Sequence, residues 1–239
     1  MIAATVAAPP VALAAAPARL VVPASSRGVI SVANTGSAPL DVQVSRAGLS
    51  LGADGRPTVT PTASPAGWLL VSRTRLRIHA HAAVALQVRA GALRGARPGD
   101  HATLLLLSAV RPGRRAVGVA VRVGVVVVLR ARGPIRRRLS LGPVHVRRRG
   151  GRTFLRIGVV NRGDLDELIA AGRVRLTLRR GGRVVARPAI VPRRLLARSR
   201  GVLVASLRTL RHGRCRLEVR LARPRPRGPD IRRVYRLDL

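Results

Sequence analysis

The stretch ISVANTGSAPLDV, residues 30–42, is a strand-like run broken by Asn34-Thr35-Gly36, and a near copy, IGVVNRGDLDEL, occupies residues 157–168. In both, apolar residues run up to the asparagine, Asn34 or Asn161, which predicts a core strand ending at that point. An Asn-x-Gly step tolerates left-handed backbone, and the Asn side chain can bond the backbone of the turn that follows. Because this punctuated strand occurs twice, it reads as a corner of the fold rather than a ligand loop. Two copies predict two modules.

The 239 residues suffice for two domains, each with its own core. From Ala18 onward, short apolar runs are split by Gly, Pro, Asn and Asp: ARLVVPA, GVISVAN, LDVQVSR, WLLVSR, LRIHAHAAVALQVRA, HATLLLLSAV and RAVGVAVRVGVVVVLRA. Alternation is clear in DVQVSR and VAVRVGVVVVLR, and no long window keeps a helical period. About seven such strands with frequent turn signals make a β-sandwich of immunoglobulin type.

The stretch RARGPIRRRLSLGP (130–143) interrupts the series with Gly133-Pro134 and a charge run, which places a linker there. A second set follows: LGPVHVRR, TFLRIGVVN, GRVRLTLRRGGRVVARPAIV, GVLVASL, GRCRLEVRLA and IRRVYRLDL. Within it, Arg180-Gly181-Gly182-Arg183 joins two alternating runs and predicts a hairpin, since Gly-Gly supplies the positive φ of a primed turn. The expected organisation is a signal-peptide remnant or disordered tail over 1–17, sandwiches over 18–132 and 140–239, and a linker over 133–139. After the second corner, GDLDELIAAG (163–172) reads as a short helix, with Asp164 at its cap and Glu167 three residues later in a capping-box arrangement.

Hydrophobic residues make up 47% of the chain and aromatics 1%, so the core must be built from Val, Leu, Ile and Ala. That composition suits sheets, because β-branched side chains lose little freedom in strands. The formal charge is +37, and all 46 basic residues are arginine. Arginine in place of lysine fits the codon usage of a high-GC genome, but only nine acidic residues does not follow from codon bias. The excess predicts attraction to polyanions such as nucleic acid, anionic cell-wall polymer or acidic headgroups. The candidate polyanion contacts are Arg136, Arg137 and Arg138 with Arg147, Arg148 and Arg149; the competing reading of all six is a solvated linker and strand edge.

Catalytic signatures are few. Lacking lysine, the chain has no Walker-type phosphate loop and no Schiff-base lysine, and no GxSxG, HExxH or CxxC occurs. The single cysteine, Cys215, reads as a small buried thiol at a strand start. His79 and His81 would share a face if they lay on one strand, with His101 nearby, and would then suit a metal; a turn or solvent-facing polar pair is the competing reading. No cofactor and no metal are expected. The aromatics Trp68, Phe154 and Tyr235 are too few for a base-stacking platform, and no DNA-reading motif is present, so specific nucleic-acid binding is not expected. The N-terminal MIAATVAAPPVALAAAPARL resembles the back half of a secretory signal, and AVGVAVRVGVVVVL (116–129), with Arg122 inside it, is too short and charged to span a bilayer.

The order of ARLVV, GVISVANTGSAPLDVQV, GWLLVSRTRLRIHAHAAVALQVRAG, RPGDHATLLLLSA and VGVVVVLRARG resembles the pilus-chaperone-like immunoglobulin domains. It is most similar to the extracellular domain at the front of bacterial WxL-interacting cell-surface proteins, with a second sandwich following. That resemblance implies an exported, non-catalytic binding or scaffold protein of the cell surface, contacting peptidoglycan, anionic polymer or a surface or pilus-like protein. An assembly chaperone of the same fold, or a non-specific nucleic-acid-binding protein, is the alternative.

Overall fold

Period-two apolar runs become strands throughout the computed structural model, which describes residues 12–52, 55–60, 67–93, 95–111, 119–208, 213–222 and 230–239. The chain forms two compact units: residues up to Ser50 with Thr58–Pro134, and Leu51–Pro57 with Ile135–Leu239.

The first unit contains β1 (Leu13–Ala16), β2 (Arg19–Pro23), β3 (Arg27–Asn34), β4 (Leu40–Leu51), β5 (Pro57–Thr60), β6 (Leu69–Val71), β7 (Arg75–Ile78), β8 (Ala83–Ala90), β9 (Gly99–Arg111) and β10 (Val119–Ala131). One sheet has the order β1-β3-β8-β6, and the other β2-β10-β9-β4-β5 with β7 added on β4. Ile30, Val32, Leu86 and Val88 from the first sheet and Leu105, Leu107, Val125 and Val127 from the second belong to one buried cluster. Burying each such side chain contributes about 1.5–3 kcal/mol. The layer is filled almost wholly by branched aliphatics, as the composition requires.

The second unit contains β11 (Leu139–Arg149), β12 (Arg152–Asn161), β13 (Glu167–Ile169), β14 (Val174–Arg180), β15 (Arg183–Ala186), β16 (Arg193–Leu195), β17 (Ser199–Arg208), β18 (Arg214–Leu221) and β19 (Ile231–Asp238). Its sheets run β11-β12-β17 and β15-β14-β18-β19, with a small β13-β16 pair. Leu155, Ile157, Leu176, Leu178, Leu217 and Val219 meet in its core. Cys215 is buried there, its Sγ 3.4 Å from the Arg180 Nε that donates to it. The sandwich is also tied across its layers: Tyr235 donates its hydroxyl to the Gly142 carbonyl at 2.7 Å, and Arg233 donates to the Leu141 carbonyl. Burial raises the Tyr235 pKa, with the Arg233 guanidinium acting in the opposite sense.

The two corners are built alike. Asn34 Oδ1 accepts the Gly36 N–H at 3.0 Å, and its Nδ2 donates to Ala38 at 2.8 Å and His79 at 3.0 Å. Asn161 Oδ1 accepts the Gly163 N–H at 3.0 Å, and its Nδ2 donates to Leu165 at 2.8 Å and Leu196 at 2.9 Å. Each asparagine is about as buried as a core leucine and stays there because its amide is bonded on both sides. The left-handed backbone that Asn-x-Gly tolerates is not used at these corners: neither asparagine nor the glycine two residues on has a positive φ. Glycine at 163 answers a close approach instead, since a Cβ there would lie 2.8 Å from the Arg138 nitrogen and 2.9 Å from the Arg136 carbonyl oxygen. Left-handed glycines do occur at the predicted hairpin, where Gly181 and Gly182 have φ of 51° and 80° between β14 and β15.

The structure corrects two expectations. Residues 163–172 are not a helix: they form a turn, β13 and the start of a 3-10 turn at Ala171–Arg173. The acidic side chains that suggested a cap serve other backbone, Asp164 accepting the Arg136 N–H at 2.9 Å and Asp166 the Ala197 N–H at 2.9 Å. Leu13–Ala16, within the expected tail, is strand β1 on β3, with Leu13 opposite Asn34; the rest of that stretch up to residue 11 lies outside the described residues. A run of small alanines can serve as an edge strand because its backbone, not its side chains, makes the pairing. Among the described residues no helix is long and apolar enough to cross a membrane.

Candidate functional site

Among the described residues, β10 is covered on one side along its whole length and on the other along only part. It pairs antiparallel with β9 from Val119 opposite Arg111 to Ala131 opposite Gly99. β2 lies parallel on its other side, but only against Val126–Arg130. The cause is the preceding strand: β1 pairs with β3 in the opposite sheet, and the chain changes sheets at the cis Ala16–Pro17 bond, so β2 begins too late to reach the first half of β10.

The direction of the uncovered backbone follows from the bonds that are made. Val126 donates its N–H to Ala18 O at 3.0 Å, and Arg130 O accepts the Ala24 N–H at 2.8 Å. In an extended strand the N–H and C=O of one residue point to one side and those of the next to the other. The N–H and C=O of Gly124, Arg122 and Ala120 therefore point away from β9, and among the described residues no strand pairs with them. The side chains complete the picture. Val125, Val127 and Leu129 are buried, and Val121 and Val123 continue that apolar stripe half-buried beyond the reach of β2. On the outer face Arg122 donates from Nε to Ser108 Oγ at 3.1 Å, and Gly124 leaves room for Leu104, whose Cδ1 would lie 3.3 Å from a Cβ. An unpaired edge with an apolar stripe is a template for another strand, here guarded by one charge.

The six arginines expected to form a polyanion site are divided. Arg136, Arg137 and Arg138 precede β11, and Arg147, Arg148 and Arg149 end it, so roughly 30 Å of strand separates the groups. The first group is engaged in holding the second corner. The Asp164 N–H donates to Arg136 O at 2.7 Å, the Arg162 N–H to Arg138 O at 2.7 Å, and the Arg137 guanidinium to Glu167 Oε1 at 3.2 Å. Glu167 is buried and also accepts from Arg173 at 2.9 Å, making a charge triad that sequence spacing did not reveal. The Arg136 N–H holds the Asp164 carboxyl below its ordinary value of 3.8; partial burial opposes this, and the Arg198 guanidinium, 3.0 Å away, adds to it. In the second group Arg147 and Arg149 share the solvent face of β11, while Arg148 alternates to the other face.

His79 and His81 do not share a strand face. β7 ends at Ile78 and β8 begins at Ala83, so both lie in the connecting turn, where His81 has φ 58°. His101 is elsewhere occupied, its Nε2 N–H donating to Arg97 O at 2.7 Å and its ring standing edge-on to Trp68 with centroids 5.3 Å apart. Among the described residues no group of three or more His, Cys, Asp or Glu could hold a metal ion.

No family model matches the sequence, and no curated protein matches it. Solved structures do. The YadV chaperone aligns with a TM-score of 0.52 at 15% identity, over 94% of this chain and 99% of that one. A chain from a chaperone–tip adhesin complex of CFA/I fimbriae biogenesis aligns with a TM-score of 0.54 at 10% identity, over 93% and 98%. One from the Salmonella enterica SafA pilin in complex with the SafB chaperone aligns with a TM-score of 0.50 at 14% identity, over 98% and 99%. The fold is all-β, two tandem immunoglobulin-like sandwiches, and is similar to that of these chaperone structures. At such identities the likeness establishes that fold.

Proposed function

We propose that this protein holds an extended segment of a partner protein against the first half of β10 by strand addition, and that it works as an exported assembly chaperone for a surface or pilus-like subunit. The observation that carries this reading is the half-covered strand: Val126–Arg130 is paired by β2, and among the described residues no strand pairs the preceding ones on that side. Backbone bonds from Ala120, Arg122 and Gly124 would supply affinity, and the Val121–Val123 stripe would fill the gaps between the partner's side chains. Further support comes from the matched structures, which include a chaperone–tip adhesin complex and a pilin in complex with its chaperone. The role asks for no catalysis and no cofactor. A cell-surface scaffold of the WxL-interacting type, touching anionic wall polymer, is the second reading, favoured by the formal charge of +37.

The test is co-expression with a candidate surface subunit encoded beside this protein, followed by size-exclusion chromatography. The expected result is a one-to-one complex that Arg122→Pro abolishes. That substitution removes an outward N–H and leaves the β9 ladder intact, since proline is tolerated where the N–H faces away from the sheet. A complex that forms equally well with Arg122→Pro would refute strand addition at this edge.

A further inference from the structure

The solvent face of the β11-β12-β17 sheet carries arginine in register across all its strands. Arg149 stands opposite Arg152, and Arg152 opposite Arg208. The next outward rows are Arg147, Phe154, Ser206 and then His145, Arg156, Val204. The alternate residues Leu155, Ile157, Ala205 and Leu207 are buried, so these rows face solvent by strand alternation. No carboxylate occupies any of the nine positions. With strands about 4.8 Å apart and same-face residues about 6.8 Å apart, five guanidinium groups originate within a patch of roughly 10 by 14 Å.

Like charges directly opposite one another destabilise a sheet. The other large sheet of the same unit has a row without a carboxylate too, Arg179, Arg216 and Arg236, beside a row that it relieves internally. There Arg220 stands opposite Arg232, and the Glu218 carboxylate accepts from both, which holds its pKa below the ordinary value. Arg149, Arg152 and Arg208 have no such carboxylate in their rows; Arg152 donates to the neutral Ser206 Oγ at 3.0 Å. Among the described residues no carboxylate bonds these three arginines, which leaves them open to a bound anion in the role that Glu218 has on the other sheet.

We propose that this face binds a linear phosphate polyanion, an extended chain held by its phosphates alone. Guanidinium forks match phosphate oxygens bidentately, and one phosphate can bridge arginines of neighbouring strands as Glu218 does. An extended chain suits a row of charges laid straight across three strands. Phe154, half-buried, and the His145 imidazole are the only rings in these rows, too few for a platform on which successive bases could stack. The residues of this face belong to the second unit and those of the β10 edge to the first, so Arg122→Pro replaces none of them.

The test is titration of the whole protein with inorganic polyphosphate over a salt series. The triple variant Arg149→Gln, Arg152→Gln, Arg208→Gln should weaken binding at least tenfold and flatten the salt dependence by about two in slope, at roughly 0.7 per lost phosphate contact. A control with the same charge loss at scattered exposed positions, Arg27→Gln, Arg75→Gln, Arg132→Gln, should keep the slope within half a contact of the parent. In the unmodified protein, polyphosphate should shift the Nε resonances of Arg149, Arg152 and Arg208 more than those of the three control arginines, a readout independent of any variant's folding. Equal losses in the two triples, or uniform shifts, would mean diffuse attraction and overturn the site. Tighter binding of single-stranded DNA than of polyphosphate with the same number of phosphates would overturn recognition by phosphate alone, and equal binding of polyglutamate would overturn the preference for phosphate.

Discussion

Val126 donates its backbone N–H to the carbonyl of Ala18 at 3.0 Å, and this is where the parallel cover of β10 begins. Four residues earlier on the same strand, Arg122 directs its N–H the same way with no strand beside it among the described residues. In the free protein, amide hydrogen exchange along β10 should therefore alternate: Arg122 and Gly124 exchange fast, while Val121, Val123 and Val125, which face β9, are protected. Adding a partner subunit should slow Arg122 and Gly124 and leave the three valines unchanged. Uniform protection in the free protein would show that the edge is already covered.

The corner asparagines each satisfy several backbone groups from inside the core. Replacing Asn34 or Asn161 by alanine leaves the Gly36 or Gly163 N–H and two or more carbonyls without their partner. Each substitution should lower stability by about 2–3 kcal/mol, since buried groups left unpaired cost about 1–3 kcal/mol. If the units unfold separately in a denaturant titration, only the unit containing the substituted asparagine should shift its midpoint.

Glu167 should be sensitive to its two partners in a definite order. Arg173 makes the shorter contact, 2.9 against 3.2 Å, is the less exposed, and also donates to Leu168 O at 2.7 Å. Arg173→Ala should cost about 3 kcal/mol, near the lower end for breaking a buried ion pair, and Arg137→Ala clearly less. Equal losses, measured by equilibrium unfolding, would contradict the geometry.

Asp164 links the second unit to pH. Its carboxyl is held below 3.8 in the folded protein chiefly by the Arg136 N–H, so its contribution is complete above the ordinary value and lost as pH falls through the lower, folded one. The melting temperature of the unmodified protein should exceed that of Asp164→Asn at neutral pH, and the difference should shrink as pH drops below about 4. A difference that stays constant to pH 2 would mean the carboxylate charge is not what stabilises the turn.

Alternation and punctuation in the chain were enough to predict strands, two modules and the asparagine corners, because a period of two and a turn residue are local properties. Gly181-Gly182 was legible for the same reason. The helix expected at 163–172 failed because an acidic residue near a turn can bond any backbone within reach, and the N–H that Asp164 accepts belongs to Arg136, far away in sequence. The arginines divided for a similar reason: adjacency in sequence brought Arg136–Arg138 together on paper, whereas the chain uses them to bind the corner. Register across three strands aligned Arg149 with Arg152 and Arg208, and no spacing in the sequence encodes that alignment.

The half-free edge of β10 was beyond sequence reasoning altogether. VAVRVGVVVVLRA reads as one uniform strand, and its own residues carry no mark of where a neighbour stops. The stopping point depends on β1 choosing the opposite sheet before β2 begins, a long-range pairing decided only when both layers pack. Local chemistry thus determined which segments are strands and which faces are apolar; the tertiary structure decided which backbone groups those strands leave without a partner.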